Sequence, residues 1–176
     1  DAMDDTTAVF TEPVAAAHRI LEQIEIEQSD RVVVLGAGKL GQLIAQVLSP
    51  HTKHMLCVGR NDWKLEILKE LGIPTADVYE PMQRNHADIV VDATGSYEGF
   101  TRAMELVRPE GTIILKTTVT HPTALEMSVP VINEIRVIGS RCGPFRPALE
   151  SLDTKAVSVL PLVSETYSLD EGVHGL

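Results

Sequence analysis

The sequence predicts an α/β fold, a doubly wound parallel sheet with an N-terminal helix leading into it. Three observations carry this expectation. Apolar runs rich in β-branched residues, such as Val32-Val33-Val34-Leu35 and Ile89-Val90-Val91, have the unbroken hydrophobicity of strands buried on both faces. Between the runs lie segments of roughly 10–15 residues with helical spacing, an alternation that implies right-handed crossovers and a parallel sheet with helices on both faces. At the first strand-to-helix junction stands Gly36-Ala37-Gly38-Lys39-Leu40-Gly41.

The elements follow in order. Residues 12–27 carry Val14, Ala17, Ile20, Leu21, Ile24 and Ile26 at mostly helical spacing, with Pro13 in a first turn where its missing N–H costs nothing, so a helix is expected. After Gln28-Ser29-Asp30, residues 31–36 form the first strand. Leu40, Leu43, Ile44, Val47 and Leu48 mark a helix over residues 39–48, and residues 55–58 make a second strand. Leu65, Ile67, Leu68 and Leu71 mark the next helix, ended by Gly72 with Pro74 two positions on. A brief strand over 76–79, a central one over 88–92, a helix over 97–107 and strands over 111–116 and 135–139 complete the pattern. No internal repeat or low-complexity linker interrupts it.

With 176 residues, 44% of them hydrophobic and 23% charged, the chain is read as one folded domain spanning residues 1–176. A net charge of −10 with no basic run repels nucleic acid and anionic membranes alike, which leaves small molecules as the expected partners. No apolar stretch reaches membrane-spanning length and the start Asp1-Ala2-Met3-Asp4-Asp5 is unlike a signal peptide, so a cytoplasmic location is expected. Cys57 and Cys142 show no metal-binding spacing and are read as buried free thiols. The lack of Met at position 1, and a fresh helix start at Ser168-Leu169-Asp170-Glu171 close to the last residue, lead to the expectation of a piece excised from a longer enzyme.

In a βαβ unit each glycine of the hexapeptide has its own task. Gly36 permits the tight turn, Gly38 lets the backbone approach a pyrophosphate, and Gly41 lets the helix pack closely on the first strand. The phosphates then meet the N–H groups and positive dipole end of the helix starting at Lys39 and Leu40. The turn is thus the phosphate-binding signature of a Rossmann fold, and the expected ligand is a nicotinamide dinucleotide. Roughly 20 residues on, an Asp or Glu would accept hydrogen bonds from the ribose hydroxyls of NAD. Here the second strand ends in Gly59-Arg60-Asn61 instead. The repelling acid is gone and a guanidinium is placed to pair with a 2′-phosphate, which favours NADP; NAD, with Arg60 a solvated surface residue, is the alternative. Asp62 is read as the cap of the following helix.

Several stretches together carry a family resemblance: Ala8-Val9-Phe10-Thr11-Glu12-Pro13-Val14-Ala15, the glycine turn, Lys64-Leu65 with Leu71-Gly72, Val91-Asp92-Ala93-Thr94-Gly95, and Ile138-Gly139-Ser140-Arg141-Cys142-Gly143. Over nearly its whole length the chain resembles the cofactor domain of medium-chain, usually zinc-dependent, alcohol dehydrogenases, near the threonine and sorbitol dehydrogenase branch. The resemblance implies that Lys64 reaches the adenosine ribose and that Ala93, Thr94 and Gly95 form a turn beside the cofactor. It implies that Leu115 and Lys116, with Ser140, Arg141 and Cys142, hold the nicotinamide carboxamide; an ordinary strand exit is the bland reading of Ser140-Arg141-Cys142. The Glu of Glu-Pro lies at or near the catalytic zinc in this branch, so Glu12 is a metal candidate in the parent enzyme alone, and otherwise a helix N-terminal acid favoured by the dipole. His18 is read as packing, and His121 as a residue that could line the substrate end.

The family's other zinc ligands belong to a catalytic domain that would precede residue 1, so no catalytic residue is assigned within the chain and zinc is expected in the parent only. Lys116-Thr117-Thr118 departs from the commoner glycine-containing stretch. The implied function is cofactor binding for hydride transfer between an alcohol or polyol and NADP or NAD. A non-catalytic nucleotide-sensing module is the alternative. A methyltransferase normally wants an acid where Gly59-Arg60 stands, and the Tyr-x-x-x-Lys pair of short-chain dehydrogenases is missing: Tyr79, Tyr97 and Tyr167 are followed four residues on by Gln83, Thr101 and Glu171. A homo-oligomer is possible through an edge formed by residues 135–139 and the segment after Leu160.

Overall fold

The computed structural model describes residues 3–119 and 126–175, so His121 lies outside the described residues. Six strands form one sheet: β1 (Arg31–Leu35), β2 (His54–Gly59), β3 (Thr75–Asp77), β4 (Ala87–Asp92), β5 (Val107–Leu115) and β6 (Arg136–Gly139). Every pairing is parallel and the order is β3-β2-β1-β4-β5-β6. β1 and β4 are neighbours although two strands separate them in sequence. That reversal of winding opens a crevice at their carboxyl ends, where doubly wound sheets bind ligands.

The alternating side chains of each strand feed two separate cores. Val32 and Val34 of β1, with Val91 and Ile114, join a core under helices α2 (Thr11–Gln23), α3 (Lys39–Leu48), α4 (Asp62–Glu70) and α7 (Phe145–Asp153), where Ile20, Leu43, Ile44, Leu68 and Leu152 are buried. Val33, Leu35, Val58, Val90 and Ile113 face the other way, against Ala103 and Leu106 of α5 (Tyr97–Leu106). Burial on both faces is why these strands read as unbroken apolar runs. Each fully buried Leu or Ile contributes about 1.5–3 kcal/mol, so the sheet-helix seams supply most of the drive to fold.

At the amino ends of the strands the Asp88 carboxylate takes Arg31 Nε at 3.0 Å and Arg108 Nε at 2.5 Å. Burial acts to raise the Asp88 pKa, and the hydrogen bonds from Arg31 and Arg108 outweigh it, so the carboxyl stays charged well below the usual range. One carboxylate and two guanidiniums are thus paired at the end of the sheet opposite the crevice.

Three local expectations change. The first long helix ends at Gln23 rather than at residue 27, and Ile24 is extended with φ −139° and ψ 150°. From Ile24 to Glu27 half-buried isoleucines alternate with exposed glutamates, a period of two that suits extended chain. Asp62 is the first residue of α4, not its cap; Asn61 holds the cap position without a side-chain hydrogen bond. Among the described residues the segment after Leu160 forms no strand in this chain; Leu160–Leu162 is a 3-10 turn that buries Leu162 in the first core.

Three helices escaped the sequence pattern. α7 lays Ala148 and Leu152 on the first core. α1 (Asp5–Ala8) is a single turn capped by Asp4, whose Oδ1 accepts from Thr7 N at 3.0 Å. α6 (Ser128–Ile132) leads into β6.

Candidate functional site

The crevice above β1, β2 and β4 holds a cavity of about 390 Å³ with the glycine turn as its floor. Gly36 has φ +102°, a conformation open to glycine, and a Cβ there would lie 2.6 Å from the Ala93 carbonyl oxygen. Gly41 is still more constrained: its Cβ would lie 1.7 Å from the Gly36 oxygen. Two glycines therefore let α3 start directly against the turn that leaves β1. Gly36 N–H donates to the Val58 carbonyl at 2.8 Å and Gln42 Nε2 to the Ala37 carbonyl at 3.2 Å, which fixes both sides of the turn.

Gly38 is the cap residue of α3, with no side-chain cap and no acid in the first turn. A Cβ on Gly38 would meet nothing within 4 Å, so the helix start opens into the cleft. The first-turn N–H groups of Lys39 and Leu40 are then the local source of positive potential. The Leu40 side chain packs against the core, so any contact it makes to an anion is through its main chain.

Past the carboxyl end of β2 the cavity is lined by Gly59, Arg60, Asn61 and Lys64. Lys64 Nζ lies 5.2 Å from the centre of the Trp63 ring, a cation–π contact that steadies the ammonium at the rim. Across the cleft stand Ala93, Thr94, Ser96 and Glu98. Their turn is organised by Asp92, a carboxylate only 1% exposed at the end of β4. Its Oδ1 accepts from Thr94 N at 3.0 Å, Thr94 Oγ1 at 2.8 Å and Thr117 Oγ1 at 2.9 Å. Thr117 Oγ1 in turn accepts from Gly95 N at 3.0 Å. One buried carboxylate thus ties the turn after β4 to the turn after β5.

The remaining candidates form a second group beside the cavity. Lys116 Nζ donates to Ser140 Oγ at 3.0 Å, joining the ends of β5 and β6. Burial pushes the Lys116 pKa down to about 8, and the nearby Cys142 and Glu12 oppose that shift. Gly143 is pressed on α2, where a Cβ would lie 1.8 Å from the Ala15 carbonyl oxygen. This contact brings Ser140, Arg141 and Cys142 near the helix that carries Glu12. Leu115 lines a different cavity, of about 630 Å³, on the far side of β5.

Two cysteine readings separate. Cys57 is a buried thiol whose pKa burial pushes up to about 12. Cys142, expected to be buried, is exposed, and follows the end of β6 with a φ of +54°. His18 packs as expected, its Nε2 2.9 Å from Ser151 Oγ on α7. Among the described residues no three His, Cys, Asp or Glu side chains gather into a metal-holding group. Glu12, on α2, has no such ligand group gathered around it among the described residues.

The family model described as glucose dehydrogenase C-terminus matches residues 5–143. The chain belongs to this family. With its similarity to known dehydrogenases, this places the chain in the medium-chain alcohol dehydrogenase superfamily. The sorbitol dehydrogenase of Halalkalibacterium halodurans is 31% identical over 185 residues, covering 96% of this chain and 54% of that protein. D-arabinitol dehydrogenase 1 of Uromyces fabae is 23% identical, covering 96% and 54%. The chain therefore spans about half the length of the curated relatives it matches. Among solved structures, a zinc-binding dehydrogenase from Sinorhizobium meliloti 1021 bound to NADP superposes with a TM-score of 0.87 at 22% identity, covering 98% of this chain and 55% of that one. A protein described as a short chain alcohol dehydrogenase from E. coli CFT073, complexed with NADH, gives 0.86 at 22% identity, with 99% and 55% covered.

Within this site the glycine turn and the end of β2 are both open to sequence reasoning. Asp92, Ser96 and Glu98 were not marked as site residues. Asp92 carried a signal, an acid closing an apolar strand run, which is costly to bury without partners.

Proposed function

We propose that this chain is the NAD(P)-binding Rossmann domain of an alcohol-dehydrogenase-like oxidoreductase, with NADP the favoured cofactor and residues 1–176 a single unit. The observation that carries the reading is the glycine turn feeding an uncapped helix start into a cleft whose far end bears Arg60 and Lys64. A pyrophosphate fits the helix start, where N–H donors and the dipole favour an anion. An adenosine fits beyond β2, between Arg60 and the exposed ring of Tyr79 on the rim. The ends of β5 and β6, with the main chain at Leu115 and with Lys116, Ser140, Arg141 and Cys142, are left for the nicotinamide.

For the whole enzyme we propose hydride transfer between an alcohol or polyol and the dinucleotide, with zinc held chiefly by residues outside this chain. The relatives' names support the substrate class. Exposed Val131, Ile132 and Val137 at the β6 edge support pairing of two copies.

Calorimetric titration of the chain with NADPH, NADH and S-adenosylmethionine tests the central point. Saturable dinucleotide binding is expected, and no binding at millimolar concentrations overturns it. Arg60→Ala is expected to weaken NADPH about tenfold, the worth of one charge-assisted hydrogen bond, and to leave NADH unchanged. Equal losses for both cofactors would refute the NADP preference.

A further inference from the structure

Beyond β2 the cleft carries charge of both signs. Arg60 and Lys64 stand on one wall, and Glu98, the second residue of α5, stands on the other; all three line the same cavity. Arg102, one turn further along α5, also reaches the cavity, but its Nη1 is engaged by Glu105 at 2.8 Å. Lys64 is drawn over Trp63. Arg60 is the cation whose charge acts on Glu98: the Glu98 main-chain N–H, the Ser96 hydroxyl and the Arg60 guanidinium together hold the Glu98 carboxyl below its ordinary range. At neutral pH a carboxylate therefore faces the guanidinium across the adenosine end of the cleft.

Resting on the dinucleotide reading, we infer that Glu98 is a specificity-determining residue, whose carboxylate competes with a 2′-phosphate for Arg60 and lowers the preference for NADP that Arg60 confers. A phosphate monoester brings close to two negative charges, so on pairing with the guanidinium it also enters the field of the Glu98 carboxylate on the opposite wall. NAD presents hydroxyl donors at the same place, which a carboxylate accepts without penalty. The acid that is missing after β2 is in effect supplied from α5, on the opposite wall. The cleft is then balanced to admit both dinucleotides, where Arg60 unopposed would select one.

The test is a double-mutant cycle on the chain, titrating NADPH and NADH into wild type, Glu98→Gln, Arg60→Ala and the double variant at low and high salt. Glu98 is exposed, so matched melting temperatures for wild type and Glu98→Gln are expected and verify folding. Glu98→Gln should tighten NADPH about three- to tenfold at low salt, less at high salt, with NADH unchanged or weakened. In the Arg60→Ala background the gain should vanish. An unaltered NADPH-to-NADH ratio in Glu98→Gln overturns the inference, as does a full gain without Arg60. If wild type prefers NADH yet Glu98→Gln shifts the ratio toward NADPH by this factor, the NADP preference falls and the inference stands. If neither dinucleotide saturates the wild type, both fall.

Discussion

Lys116 shows how a single side chain takes its chemistry from its setting. An isolated lysine titrates near about 10.4, whereas burial beside Ser140 pushes Lys116 down to about 8. Between those values the unfolded chain binds more protons than the folded one, so this group makes stability rise with pH across roughly pH 8–10. Lys116→Met is expected to flatten that rise, as read from melting temperatures between pH 7 and 10; an identical pH profile in the variant would refute the buried-amine account. Residue-scale chemistry was partly legible beforehand. Gly59-Arg60 was readable because the end of β2 follows directly from the order of residues along the chain. Glu98 was not, because its role depends on α5 lying across the cleft from β2, and no local spacing encodes that distance.

At the scale of elements the glycine turn is the most constrained. Gly41→Ala forces a Cβ into the Gly36 carbonyl, a backbone atom that has nowhere to move while α3 remains seated on β1. A loss of about 2 kcal/mol or more is expected in urea unfolding, with α3 displaced and dinucleotide binding lost in parallel. A stability change within about 0.5 kcal/mol would show that the turn relaxes freely. The strands and α3 were legible because burial on two faces or on one stripe leaves a direct periodic trace. α7 was not anticipated, although Phe145, Ala148, Leu149 and Leu152 stand at i, i+3, i+4 and i+7, the spacing of one helix face, of which Ala148 and Leu152 are buried. Its place is set by the surface that α2 offers.

For the molecule as a whole, a net charge of −10 works against any anionic ligand, so binding must rest on local field at the α3 start and at Arg60. A ligand that binds the folded state alone adds about 2.7 kcal/mol at one hundred times its dissociation constant. For a chain of this size that corresponds to a melting-temperature rise of roughly 5–10 °C with saturating NADPH. Scanning calorimetry with and without cofactor checks this, and an unchanged transition would argue that the cleft binds no dinucleotide. The rise should be smaller in Arg60→Ala, since the same contact supplies the affinity.

By itself the sequence determined the parallel sheet, the phosphate turn and the positive charge after β2, because each rests on local periodicity or on residues a few positions apart. Tertiary structure alone decided what those features face. The carboxylate of Asp92 binding two turns, the amine of Lys116 on Ser140 and the carboxylate of Glu98 opposite Arg60 each join elements that are distant along the chain. Buried or facing charges take their energies from surroundings that exist only once the sheet has formed, and for that reason the cofactor turn was readable in advance while the balance of charge in the cleft was not.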